Sequence, residues 1–265
     1  MLLVADVGNT NTVFGIDDGS GWIARWRVST NPTLLGNDWG PVLLTLARRD
    51  GIEVTAVSAM CICSVVPSVA HALADFARDW LQCEPLMVQS TLALNITLGM
   101  ENPHQVGSDR IANAAAAWNV TSSACIVVDL GTATKVDAIK SRGVFAGGAI
   151  AAGLDVSLEA LTSRAAKLTR VELVAPPNPI GRNTTEALQS GIVGGHVHMV
   201  SGLIGAIRKE LGVDAPVLIT GGHVSQPDSP FRQLGQHKPD LTIDGVRLIH
   251  ALNTSETPPS LTSAG

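Results

Sequence analysis

Apolar residues open the chain in short runs bounded by turn residues, and later recur at helical spacing. Residues 2–6, 12–16 and 22–28 read as three strands, with Asp17-Asp18-Gly19-Ser20-Gly21 as the turn between the last two. Residues 39–49 have helical spacing, 56–65 form another apolar strand region, and Pro67 leads into a helical stretch at 69–81. A short strand at 85–88 precedes a helix at 108–119, whose Ala114-Ala115-Ala116-Ala117 run favours that conformation. The pattern then starts again. Strands at 124–129, 135–139 and 144–149, with a turn at Ser141-Arg142-Gly143, lead to a helix at 154–165. Residues 184–211 form a long helical region broken near Gly194-Gly195, and a strand at 216–220 runs into Gly221-Gly222.

Two strand–loop–strand units thus begin about 120 residues apart, each with Asp-x-Gly followed by small hydroxyl or amide residues. This spacing is too long for a solenoid and suits two similar α/β lobes facing each other. The expected division is 1–118 for the first lobe and 119–252 for the second. Ala175-Pro176-Pro177-Asn178-Pro179 is an extended linker, and 253–265, rich in Ser, Thr and Pro, is expected to be a disordered tail.

Composition narrows the class. Of 265 residues, 45% are hydrophobic and 15% charged, which indicates a large interior or a buried subunit interface rather than disorder. The net charge of −5 gives no basic footprint for nucleic acid. No uninterrupted apolar run reaches the length of a membrane span, and the N-terminus lacks a signal-peptide pattern, so a cytoplasmic location is expected. Cys61, Cys63, Cys83 and Cys125 make no metal-ligand spacing and read as reduced, buried thiols.

The chemistry sits in the loops. Asp6-Val7-Gly8-Asn9-Thr10-Asn11-Thr12 offers small residues that let backbone N–H groups approach phosphate oxygens, and a carboxylate that can hold Mg²⁺ directly or through water. The same residues also suit an ordinary hairpin turn. The spacing is neither a Walker A loop nor a dinucleotide fingerprint. Asp129-Leu130-Gly131-Thr132-Ala133-Thr134 is a second such loop, and the two together favour a cleft that grips a triphosphate. Gly107-Ser108-Asp109-Arg110 reads either as a helix cap or as an acid placed to take a proton from a substrate hydroxyl. Gly181-Arg182-Asn183-Thr184 likewise reads either as a loop and helix cap or as part of a site, and Gly221-Gly222 is a turn or a flat shelf for a base. His196 and His198 point to different helix faces and do not make a metal pair.

The stretches DVGNTNTVFG (6–15), SVVPS (64–68), NPHQVGSDRIANAAAA (102–117), DLGTAT (129–134), GGAIAAGL (147–154), PNPIGRNTTEALQSG (177–191), ITGG (219–222) and PDLTIDGVRLI (239–249) occur in an order that resembles the type III pantothenate kinases. These belong to the acetate and sugar kinase/Hsp70/actin superfamily. The resemblance covers the chain to about residue 250, and GSDR combined with IGRNT is its most specific part.

The resemblance implies an α/β fold of two ribonuclease H-like/actin-like ATPase lobes with an interlobe cleft. It implies ATP-dependent phosphorylation of pantothenate to 4′-phosphopantothenate, the first step of coenzyme A synthesis, by a homodimer. Asp6, Val7, Gly8, Asn9, Thr10, Asn11, Thr12 and Val13, with Thr132, would bind ATP and its Mg²⁺. Asp129 would hold a monovalent cation, K⁺ or NH₄⁺. Gly107, Ser108, Asp109 and Arg110, with Thr184, would bind pantothenate, Asp109 being the general base. Met100 stands where the family commonly has a pantothenate-contacting tyrosine, and Lys135 where a small hydroxyl or apolar residue is usual. Residues 34–39 lack the family's usual Arg-Thr-x-Asp-Glu run. Two other readings remain: a non-catalytic regulatory relative of the same fold, and a superfamily kinase with another small substrate. Retention of Asp6, Asp109 and Asp129 favours the kinase.

Overall fold

The computed structural model describes residues 1–165 and 167–254. The chain divides into two compact units. The first holds 1–95, 101–116 and the described residues from 241 on; the second holds 96–100 and 117–240. The expected division at 118/119 places residues 241–252 in the second lobe, whereas their contacts group them with the first unit.

In the first unit, β1 (Leu2–Val7), β2 (Asn11–Asp17) and β3 (Trp22–Ser29) form an antiparallel meander. β4 (Ala59–Ser64) adds to β1 in parallel, and β5 (Leu86–Met87) completes the five-stranded order β3-β2-β1-β4-β5. Helices α1 (Gly36–Arg49) and α2 (Pro67–Trp80) bury apolar residues, Trp39, Leu43, Leu73 and Phe76 among them, against Phe14, Ile16 and Ile62 of the sheet. Pro67 occupies the start of α2, where a missing N–H costs nothing.

The second unit repeats the plan. After β6 (Thr97–Leu98) and helix α3 (Ser108–Thr121), which begins in the first unit, come β7 (Cys125–Leu130), β8 (Ala133–Lys140) and β9 (Val144–Ala152) as a second meander. Helix α4 (Leu154–Arg164) follows, then α5 (Thr184–Gln189) and α6 (Gly195–Leu211). β10 (Val217–Thr220) joins β7 in parallel and β11 (Gln236–His237) joins β10, giving β11-β10-β7-β8-β9-β6. Apart from the β6 edge, the order around β7 matches the order around β1, so the faint sequence repeat is a repeat of topology.

The break expected near Gly194-Gly195 is a π-helical turn, Ser190–Gly194, and the helix continues through it. Thr184–Leu211 is thus 28 residues long, with mean hydropathy 1.3 in its most apolar window, of which 22% is buried. It is the one described helix long and apolar enough to cross a membrane. Glycines and histidines interrupt its apolar runs, which is why an unbroken run is missing from the sequence.

Helix α7 (Leu241–Thr254) returns to the first unit and packs on β1, β2 and β4. Asp244 accepts the Trp22 indole N–H at 2.7 Å, Arg247 reaches Asp17 at 3.2 Å, and Thr242 donates to Asn113 at 2.8 Å. Asn253 and Thr254, expected in the tail, end this helix; the rest of that expected tail, 255–265, lies outside the described residues.

Candidate active site

In the first unit, Asp6 lies half-buried near the end of β1 and pairs across the antiparallel ladder with Val13. The turn between them closes through the Gly8 amide to the Asn11 carbonyl, 3.0 Å. Asn9 and Thr10 are exposed at its tip, whereas Val7 and Thr12 are buried, with side chains directed into the unit. The candidate ATP-binding run therefore alternates: only its backbone is available at positions 7 and 12. Thr30, which sequence reasoning did not single out, braces the turn. Its hydroxyl donates to the Gly8 carbonyl at 2.7 Å and lies 2.9 Å from the Thr12 hydroxyl, while its amide donates to the Thr10 carbonyl at 2.9 Å.

The neighbouring strand carries the second candidate group. Asp6 stands beside Cys63 in the parallel β1–β4 register. Ser108, the first residue of α3, donates its hydroxyl to the Ser64 carbonyl at 2.9 Å, accepts the Ser64 amide at 3.0 Å, and meets the Cys63 thiol at 3.3 Å. Its hydroxyl thus fastens α3 to the end of β4 instead of projecting toward a ligand. Asp109 follows, its Oδ1 accepting the Arg110 amide at 2.8 Å. A Cβ on Gly107 would stand 2.5 Å from that Oδ1, so a larger residue there would displace the Asp109 carboxylate. Burial pushes the Cys63 thiol well above its ordinary pKa, and the charges of Asp6 and Asp109 push it further. Two carboxylates from separate sequence motifs therefore bear on one buried thiol. Cys61 is likewise raised to about 12 by burial, and all four cysteines are free.

In the second unit, Asp129 and Lys135 face each other across the β7–β8 ladder, and the Gly131 amide bonds the Ala133 carbonyl at 3.2 Å. Lys135 Nζ donates to Asp129 Oδ2 at 2.7 Å. Gly153, the N-cap of α4, donates its amide to the Thr132 carbonyl at 3.0 Å, and a Cβ there would collide with the Gly131 and Thr132 carbonyls. The open N–H groups of the α4 N-terminus therefore start against this loop, an arrangement that favours an anion. Gly221, at φ +106°, lies so close to Leu130 that a Cβ would come within 2.6 Å of its backbone nitrogen. Beyond Gly222, a cavity of about 270 Å³ is lined by residues including Asp155, Arg170, His223 and Gln226. Asp155 accepts from the His223 ring at 2.9 Å within it.

The remaining candidates belong to other elements of the second unit. Thr184 is the exposed first residue of α5, capped by Asn183, whose side chain accepts the Glu186 amide at 2.9 Å. Glu186 in return accepts the Arg182 amide at 2.8 Å. Met100 follows β6, where Gly99 bonds the Phe145 carbonyl at 2.8 Å. Among the described residues, no three His, Cys, Asp or Glu side chains cluster to hold a metal ion.

Two units of matching topology, each with an Asp-x-Gly hairpin at the mouth of its central strand pair, define an actin-like ATPase and sugar-kinase fold. Residues 2–206 match the family described as type III pantothenate kinase, and the chain belongs to that family. It is 40% identical over 254 residues to the type III pantothenate kinase of Gluconobacter oxydans, covering 96% of this chain and 94% of the relative. To that of Thermomicrobium roseum it is 42% identical over 247 residues, covering 93% and 95%. The fold is shared with a Campylobacter jejuni protein described as a Baf family transcriptional activator, at TM-score 0.57 and 17% identity, covering 95% and 98%. It is also shared with the ethanolamine utilization protein EutJ of Carboxydothermus hydrogenoformans, at TM-score 0.54 and 13% identity, covering 93% and 89%. The family's reaction is ATP-dependent phosphorylation of pantothenate in coenzyme A biosynthesis.

Proposed function

We propose that this chain transfers the γ-phosphoryl group of ATP to the terminal hydroxyl of pantothenate, with Asp109 as the general base. The observation that carries this reading is the convergence of Asp6 and Asp109 on Cys63: a candidate phosphate-loop acid and a candidate base share one neighbourhood. Phosphoryl transfer depends on position and charge neutralisation more than on covalent chemistry, and a carboxylate beside the acceptor hydroxyl takes up its proton. The backbone of residues 8–11 and the loop holding Thr132, backed by the α4 N-terminus, bind the phosphates. Gly107, Asp109 and Arg110, with Thr184, bind pantothenate. Ser108 contributes by holding Asp109 in place.

A magnesium ion fits the donor set, because it needs only one or two carboxylates when phosphate oxygens complete its shell. Asp6 would hold it, directly or through water, and it would neutralise charge on the polyphosphate. The cavity beside Gly222 is of a size to take the adenosine end of the nucleotide.

The enzyme works as a dimer in the cytoplasm. Support for the dimer comes from the largely uncovered apolar surface of Thr184–Leu211 and from a groove of about 310 Å³ whose lining includes Ala146, Ala149, Leu203 and Ile207. A second copy of the chain would bury that surface. The test of function is ADP release on adding pantothenate with Mg-ATP. Turnover that ignores pantothenate, or none at all, would overturn the reading.

A further inference from the structure

The Asp129 carboxylate already has a cation. Lys135 Nζ sits 2.7 Å from its Oδ2, and the two side chains are only 14% and 15% exposed. The pair follows from hairpin geometry: residues directly opposite in an antiparallel ladder project to the same face. In the first unit the residue opposite Asp6 in the corresponding ladder is Val13.

The K⁺ or NH₄⁺ that the resemblance assigns to Asp129 does not fit these residues. A second cation on this carboxylate would stand beside the ammonium, where bulk water screens their repulsion poorly. We propose that Lys135 is the resident cation of the second phosphate loop, and that this kinase runs without K⁺ or NH₄⁺. The tethered ammonium carries the charge and donors of NH₄⁺ and offsets the Asp129 carboxylate, which would otherwise repel a polyphosphate. Lys135 acts through Asp129 and is a positioning residue. This rests on reading Asp129–Thr134 as a phosphate loop.

The test compares pantothenate phosphorylation in a buffer whose sole monovalent cation is tetramethylammonium with the same buffer plus KCl, NH₄Cl or NaCl at matched ionic strength. Wild-type turnover should change less than about twofold. Lys135→Ala should lose at least about tenfold in tetramethylammonium and recover with NH₄⁺ and K⁺ more than with Na⁺, whereas a lysine of purely structural value would give a loss blind to the ion. Thermal unfolding of substrate-free protein supplies an arm independent of turnover: K⁺ and NH₄⁺ should raise the Tm of Lys135→Ala over its value in Na⁺ and leave that of wild type unmoved. Activation of wild type by K⁺, a K⁺-specific rise in its Tm, or a folded Lys135→Ala that is not rescued would each overturn the proposal. If Lys135→Ala does not fold, the wild-type arms decide. Absence of all turnover would count against the kinase reading, while the wild-type Tm comparison still decides this one.

Discussion

The Ser108 hydroxyl both donates to and accepts from the backbone of Ser64, at 2.9 and 3.0 Å, so one side chain closes the end of β4 onto the start of α3. Ser108→Ala strands both backbone groups in a partly buried position. It should lower stability by about 1–3 kcal/mol, read from urea unfolding. A loss under about 0.5 kcal/mol would show that this junction is held by something else.

Asp109 is expected to act on pantothenate, as contact and base, and not in ATP binding. Asp109→Asn should bind Mg-ATP as wild type does in calorimetry and lose at least ~100-fold in kcat. A variant with the wild-type rate would remove Asp109 from the role of base.

Thr30 braces the first loop from behind, through Gly8 and Thr12. Thr30→Val keeps the shape and removes the hydroxyl, at about 1 kcal/mol per lost bond. The KM for ATP should rise roughly 3- to 10-fold with kcat changed far less. An unchanged KM would mean that the turn is rigid without this support.

Acid should destabilise the fold through its histidines. Burial lowers the pKa of His196, with His223 adding to the effect, and burial also lowers His250 and His237. The unfolded chain binds protons at the ordinary value near 6.5, so it holds more protons than the native state at acid pH. Stability is then full above about pH 6.5 and falls as pH drops below it, by at most about 1.4 kcal/mol per pH unit for each histidine. Urea midpoints measured between about pH 7 and 5 should fall. The fall should be shallower in His196→Asn, and a flat profile in wild type would contradict the argument.

The dimer predicts a surface phenotype. Ile207→Glu places a charge in the groove beside β9, and sedimentation should report a dimer for wild type and a monomer for the variant if the proposed interface holds. A dimer that survives this change would be built on another face.

Much of the architecture was legible because both meanders announce themselves: apolar strands, Asp-x-Gly turns, and a helix after each. Helix α7 escaped because Gly245 and the polar Asp244 and Arg247 break its apolar pattern. In the structure a side chain at Gly245 would overlap the Ala112 backbone of α3, and Asp244 and Arg247 serve Trp22 and Asp17. A residue that looked like a helix breaker marks a close approach instead. Thr30 escaped for a different reason: its importance lies in reaching Gly8, 22 positions earlier, and no local pattern encodes that. Ser108 was picked out, but its bonds to Ser64 were not, since spacing cannot say which way a hydroxyl turns. Lys135 was visible as a departure from the family, and only the ladder register gave it a partner.

The return of α7 to the first unit has a consequence for how the protein is born. The ribosome makes β1 to β4 early, yet the helix that covers β1, β2 and β4 is the last described element to emerge. The segments of the second unit, 96–100 and 117–240, are complete before that helix exists. N-terminal regions ordinarily fold first during synthesis. Here the first unit must finish after the second, and a chain truncated before residue 241 would leave β1, β2 and β4 without the helix that packs on them.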